Sequence, residues 1–163
     1  MSKHKHIISV LVENEFGVLS RIASLFSGRG FNIESLTVAE TDDPTISSMT
    51  IVTTGDDHII EQITKQLNKL INVIKVVELT ENTQMAREMA LIKFAAGSGA
   101  KRLELLRLVE VYQGRVLELG PRSLIVELTG THAKIAAALK VLAPFGIREM
   151  ARTGLVALAR NGL

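Results

Sequence analysis

The chain has 163 residues, 47% of them hydrophobic and 22% charged, with a net charge of +2, and this ordinary globular balance excludes disorder and a collagen-like fibre. It contains no cysteine, which rules out disulfides, thiolate zinc sites, iron–sulfur clusters and cysteine nucleophiles. No apolar run approaches the roughly 18 residues that span a bilayer, and the start MSKHKH leads into a strand pattern without a cleavable signal, so a cytoplasmic protein free of membranes is expected.

Charge divides the chain near Gln84. Residues 1–84 hold seven basic against eleven acidic side chains, and residues 85–163 hold twelve against six. Opposite signs in the two halves suggest two units with different partners, an amino-terminal domain over 1–84 and a carboxy-terminal domain over 85–163.

In the first half, HIISVLVE at 6–13 places branched apolar side chains on both faces, as a central strand requires. Val18, Leu19, Ile22, Ala23, Leu25 and Phe26 then recur at helical spacing, and Gly28-Arg29-Gly30 ends the helix. A strand from Phe31 to about Glu40 follows. Its apolar phase switches between Ile33 and Leu36, which predicts a bulge. Thr41-Asp42-Asp43-Pro44 reads as a turn, Ile46 to Thr54 as a third strand, and Gly55-Asp56-Asp57 as a break carrying a carboxylate cap. Ile59, Ile60, Ile63, Leu67, Leu70 and Ile71 are the predicted buried stripe of a second helix, and VIKVVEL at 73–79 closes the half. Strand, helix, strand, strand, helix, strand is the split βαββαβ, ferredoxin-like order.

The second half repeats it. Met89–Ala96 reads as a strand, Lys101–Tyr112 as a helix burying Leu105, Leu106, Val109 and Tyr112, and Arg115–Leu119 as a strand. Gly120-Pro121 turns the chain. Leu124, Val126 and Leu128 alternate in the next strand, Lys134–Ala143 is a helix with Ile135, Leu139 and Leu142 inward, and 147–159 is a strand interrupted near Gly154. The fold class is therefore α+β with two ferredoxin-like βαββαβ domains. Each is only about 80 residues, where burial is marginal, so association into at least a dimer is expected.

Catalytic and metal patterns are weak. His4, His6, His58 and His132 are scattered, and the KHKH start reads as a strand beginning. Neither G-x-S-x-G nor H-E-x-x-H occurs, and the G-S-G at 97–99 lacks the rest of a phosphate loop and reads as a strand-to-helix turn. No catalytic and no metal-binding residue is assigned. Nucleic acid is also disfavoured despite a pI near 9.0, because five Phe and one Tyr provide no paired stacking platform.

The junction of the first strand and first helix is more informative. Glu13-Asn14 ends the strand, and Glu15-Phe16-Gly17-Val18-Leu19 opens the helix. Backbone N–H groups at a helix start favour an anion such as an α-carboxylate, and glycine permits its close approach. The Asn14 amide offers a donor and an acceptor, so its oxygen can hold an α-ammonium while its nitrogen meets a carboxylate. A free amino acid matches that combination, while the structural alternative is that Asn14 simply caps the helix.

Val12-Glu13-Asn14-Glu15-Phe16-Gly17-Val18-Leu19-Ser20-Arg21, followed by Arg29-Gly30-Phe31-Asn32-Ile33-Glu34-Ser35-Leu36-Thr37-Val38, resembles the ACT domain of the small regulatory subunits of acetolactate synthase (acetohydroxyacid synthase). The likeness continues through Thr41-Asp42-Asp43-Pro44 and Met49-Thr50-Ile51 and covers essentially the whole chain. It implies a non-catalytic subunit that activates a thiamine-diphosphate-dependent large subunit and confers feedback inhibition by valine. Thiamine diphosphate, Mg and FAD would then sit on the catalytic partner, with none in this chain. In such a family two ACT domains pair into a continuous sheet and valine binds at the seam. The resemblance implies that Asn14, Gly17, Val18 and Leu19 come from one chain of the homodimer, Asn32 and Ile33 from the other, and that Ala39 sets effector sensitivity. An ACT-type amino-acid sensor for another enzyme or a transcriptional partner, and a small acyl-phosphatase-like catalyst on the same fold, are the competing readings.

Overall fold

The structure, a computed structural model, describes residues 4–79, 84–95, 97 and 99–160. Ala96 and Ser98, which the sequence puts at a strand end and in the following turn, lie outside the described residues, as do residues 1–3. The chain forms two compact units, Met1–Ala86 with Leu155–Leu163, and Arg87–Gly154.

The first unit contains β1 (His4–Glu13), α1 (Val18–Gly28), β2 (Ile33–Glu40), β3 (Ile46–Gly55), α2 (Asp57–Leu67) and β4 (Val73–Leu79). Its sheet has the order β2-β3-β1-β4, with β1 antiparallel to both neighbours and β2 antiparallel to β3. Alternation along β1 sends Ile8, Val10 and Val12 to the helices, where they meet Val18, Ile22 and Phe26 of α1 and Ile60, Ile63 and Leu67 of α2. Each such fully buried side chain contributes about 1.5–3 kcal/mol of transfer free energy. Asp56 caps α2 by accepting from the Ile59 N–H at 2.9 Å, as its sequence position predicts.

The predicted bulge is present: β2 shifts register against β3 between Ile33 and Ser35. Ile33 and Leu36 both pack on the core. Two residues three apart on a strand cannot share a face without an inserted residue, so the bulge is what keeps both inside. Ile71 departs from expectation. The helix stops at Leu67, and Ile71, in the loop that follows, is 90% exposed rather than part of the buried stripe.

The second unit contains the greater part of β5 (Gln84–Ala95), then α3 (Ala100–Val111), β6 (Arg115–Leu119), β7 (Ser123–Gly130), α4 (His132–Leu142), a short 3-10 turn (Ala143–Phe145) and β8 (Ile147–Arg152). The sheet order is β6-β7-β5-β8, matching that of the first unit. Ile92 and Phe94, Leu124, Val126 and Leu128, Leu105 and Val109, and Ile135 and Leu142 form its core. Gly99, with φ +63°, ends the predicted turn as the N-cap of α3. Glu88 is buried yet charged in type, and it accepts from the Arg152 guanidinium while His132 Nδ1 lies 3.4 Å away. A buried carboxylate needs such partners.

The last strand breaks the chain-order division at 84/85. The sequence treats 147–159 as one interrupted strand, but after Arg152 the chain leaves β8, and β9 (Val156–Ala159) belongs to the first unit, pairing also with β5. Leu155 and Ala157 become buried there against Ile7, Val52 and Leu79. Those three residues lie on the sheet face opposite the helices, and their burial is the physical reason for the strand's placement.

Candidate functional site

Asn14 follows the last residue of β1, and its surroundings are built by the β2–β3 turn. In that turn Asp43 Oδ1 accepts from the Thr45 N–H at 2.9 Å and from Thr45 Oγ1 at 2.7 Å, and these bonds hold the Asp43 carboxyl below the usual aspartate range. The Thr41 N–H closes the turn on the Ile46 carbonyl at 2.9 Å. The ordered turn then receives Asn14, whose N–H donates to the Thr45 carbonyl at 2.7 Å. The Asn14 Nδ2 donates to Glu40 Oε1 at 3.0 Å and to the Pro44 carbonyl at 2.9 Å. Both amide hydrogens are committed, so the Asn14 nitrogen does not stand free for a ligand carboxylate as the sequence suggests; Oδ1 is the group Asn14 has left to offer, and it can only accept.

The Asn14 side chain does not cap α1. The N-cap of that helix is Gly17 at φ +82°, which makes no side-chain cap bond, in a left-handed conformation that glycine adopts without steric cost. The Arg21 N–H donates to the Gly17 carbonyl at 3.0 Å, and the Val18 N–H makes only a long 3.4 Å contact to the Glu15 carbonyl. The helix start thus has backbone donors a few residues along the chain from the Asn14 acceptor, the two kinds of group a zwitterionic amino acid requires. Val18 is buried, so its contribution to a ligand is its backbone, whereas Leu19 is half-exposed and Phe16 fully exposed. A cleft of about 540 Å³ opens at Asn14, lined by Glu13, Glu15, Pro44, Thr45, Ile46 and Ile74; Gly17, Val18 and Leu19 are not in its lining.

The other side of the β1–α1 loop is fastened by Asn72. Its Nδ2 donates to Glu13 Oε2 at 2.8 Å and Glu15 Oε2 at 3.0 Å, and its Oδ1 accepts from Arg21 Nη1 at 2.6 Å. One buried amide therefore ties together the residues on both sides of Asn14 and the first helix.

Within one chain the structure brings Asn14, Gly17, Val18 and Leu19 to one end of the sheet. Ala39, exposed and paired with Ser48, precedes Glu40 at that same end. Asn32 and Ile33 lie elsewhere. Ile33 pairs with Thr53, which pairs with His6 at the start of β1, and the Asn32 carbonyl accepts from Thr53 Oγ1 at 2.7 Å. A strand of eight residues separates the two groups by about 23 Å, too far for one small molecule to touch both. Sequence reasoning missed Glu40 and Pro44, which orient Asn14; the parallel course of β1 and β2 in a split βαββαβ order is the signal that places the end of β2 beside the end of β1.

Two family models match the chain. The AHAS small subunit-like ACT domain covers residues 8–75, and the small subunit of acetolactate synthase covers residues 87–161. The acetolactate synthase small subunit of Mycobacterium bovis is 52% identical over 161 residues, covering 99% of this chain and 95% of that one. That of Aquifex aeolicus is 51% identical over 157 residues, covering 96% and 82%. The crystal structure of the acetolactate synthase small subunit from Thermotoga maritima superposes with a TM-score of 0.90 at 39% identity, covering 98% of this chain and 99% of that one. The first unit is thus an ACT domain, and the chain belongs to the acetolactate synthase small-subunit family.

Proposed function

We propose that this chain is the regulatory, non-catalytic subunit of an acetolactate synthase, activating the large subunit and conferring feedback inhibition by valine in branched-chain amino acid biosynthesis. Condensation chemistry belongs to the partner, which carries the thiamine diphosphate, Mg and FAD. The holoenzyme works in the cytoplasm. One observation carries the effector reading: open helix-start donors and the Asn14 acceptor lie at one end of edge strand β2, while Asn32 and Ile33 lie at the other. A two-fold pair of chains joined antiparallel along β2 sets the start of one β2 against the end of the other. Asn32 and Ile33 of one protomer then complete the site at Asn14, Gly17, Val18 and Leu19 of its partner, and Ala39 lies beside it. A ligand shared in this way stabilises the pair and biases its geometry, and inhibition follows if that geometry is coupled to the catalytic subunit by about 1–3 kcal/mol.

The test is acetolactate formation by a matched large subunit with and without this chain and with and without valine. Stimulation that valine removes is expected; an unchanged large-subunit rate in the presence of the chain overturns the reading.

A further inference from the structure

The open face of the first unit's sheet is not bare. The segment that returns from the second unit lies across it, with Leu155 and Ala157 buried at 5% and 3% exposure over Ile7, Val52 and Leu79. Two backbone-to-side-chain bonds fasten it. The Leu155 N–H donates to Ser35 Oγ at 3.3 Å, and the Ala157 N–H donates to Thr50 Oγ1 at 3.3 Å. Beyond them Arg160 Nε donates to the Gln84 carbonyl at 2.9 Å.

The position of Ser35 gives this arrangement a consequence. Ser35 is the residue at which β2 resumes its pairing with β3 after the bulge, opposite Val52. The bulge lets Ile33 and Leu36 both point into the core. It also turns Ser35 to the opposite face, where the Leu155 N–H meets it. At the same bulge, the Glu34 carboxylate accepts from Thr54 Oγ1 and lies 3.5 Å from Lys5 Nζ. A slip of one residue in an edge strand reverses every side chain it carries, so the contacts on both faces of β2 at the bulge set its register. The residues held immediately before the bulge are Asn32 and Ile33.

We infer that the carboxy-terminal strand is a clasp that fixes edge strand β2 in the register the effector seam uses, with Ser35 as its positioning residue. The inference rests on the valine reading above. Leu155 acts on the far end of β2, the half of the site that a partner protomer receives, while Leu158 and Ala159 continue toward Leu11 and Ser48. The segment continues directly from β8, and Leu155, its first residue in the first unit, reaches β2 through the hydrogen bond to Ser35.

The experiment titrates valine by calorimetry into the full-length chain and into Ser35→Ala, Ser35→Thr and Asn14→Ala. Loss of one neutral hydrogen bond predicts valine binding about three- to tenfold weaker in Ser35→Ala, with Ser35→Thr, which keeps the hydroxyl, close to the parent. Stimulation of a matched large subunit without valine stays at the parental level in both Ser35 variants. Backbone amides of β2 from Ser35 to Thr37 exchange hydrogen faster in Ser35→Ala than in Ser35→Thr. Parental valine binding and parental exchange in Ser35→Ala, with binding lost in Asn14→Ala, overturn the clasp and leave the effector site standing. Parental binding in both Asn14→Ala and Ser35→Ala overturns the effector site and the clasp with it.

Discussion

Arg21 Nη1 donates to Asn72 Oδ1 at 2.6 Å, and the opposite side of the same buried amide donates to two carboxylates, Glu13 and Glu15. Only an amide can serve that position, because it must accept from a cation and donate to anions at once. Asn72→Leu leaves all three charged groups without their partner and is expected to cost about 1–3 kcal/mol. Asn72→Asp has the larger effect, since it presents a third carboxylate to the two already there. Urea unfolding of the two variants checks the order; equal stability to the parent in either would sink the clamp.

The helix start at Gly17 separates backbone strain from ligand space. A methyl group added at Gly17 meets nothing within 4 Å inside the chain, yet φ is +82°. Gly17→Ala is therefore expected to destabilise the protein by about 1–2 kcal/mol through left-handed strain alone. Valine affinity falls further than that strain explains, because the new methyl occupies the approach to the α1 amides. Calorimetry beside thermal unfolding reads the two effects separately, and valine binding at parental strength would exclude a ligand at this helix start.

Local signals in the sequence carried most of the fold. The phase break between Ile33 and Leu36 marks the bulge, and Asp56 marks the start of α2. What failed to show were decisions made by distant chain. Ile71 has the right residue type for a buried stripe, but α2 ends at Leu67 before the stripe reaches it. Leu155 and Ala157 read as a continuation of β8, and only the apolar Ile7, Val52 and Leu79 on the first sheet reveal where they go. Asn14 was legible as a polar group beside a helix start. Its orientation was not, because Glu40 and Pro44 set it from 26 and 30 residues away.

Gly114, just before β6, and Gly130, the last residue of β7, make a contrasting pair. A methyl group at Gly114 would stand 2.6 Å from Leu128 Cδ2, 3.0 Å from Val109 Cγ1 and 3.1 Å from the Glu127 carbonyl, all of them held in a packed core or ladder. Overpacking there is expected to cost about 1–3 kcal/mol in Gly114→Ala. A methyl group at Gly130 meets Lys134 Cδ at 2.5 Å, the flexible part of a half-buried side chain that can shift at the cost of its Nζ bonds to Gln113 Oε1 and the Thr129 carbonyl. Gly130→Ala is expected to remain near parental stability. A denaturation series on the two alanine variants tests the difference, and the reverse ranking would contradict the packing.

Acid should loosen the turn that holds Asn14. The Asp43 carboxyl is lowered chiefly by its hydrogen bond from the Thr45 side chain and next by that from the Thr45 backbone. A group whose folded value lies below its unfolded value contributes stability in full above the ordinary aspartate value of about 3.9, and that contribution disappears as pH falls through the lowered folded value. Removing the hydroxyl in Thr45→Val takes away the larger cause, so the Asp43 titration moves upward toward the ordinary aspartate. Carboxyl carbon NMR titration of parent and variant measures both midpoints. The parental midpoint is expected below the ordinary value and the variant's above the parent's; coincident midpoints would show that Thr45 does not hold the carboxylate. Since Asn14 is anchored on the Pro44 and Thr45 carbonyls of the same turn, valine affinity measured along the same pH series should decline in acid at higher pH in Thr45→Val than in the parent.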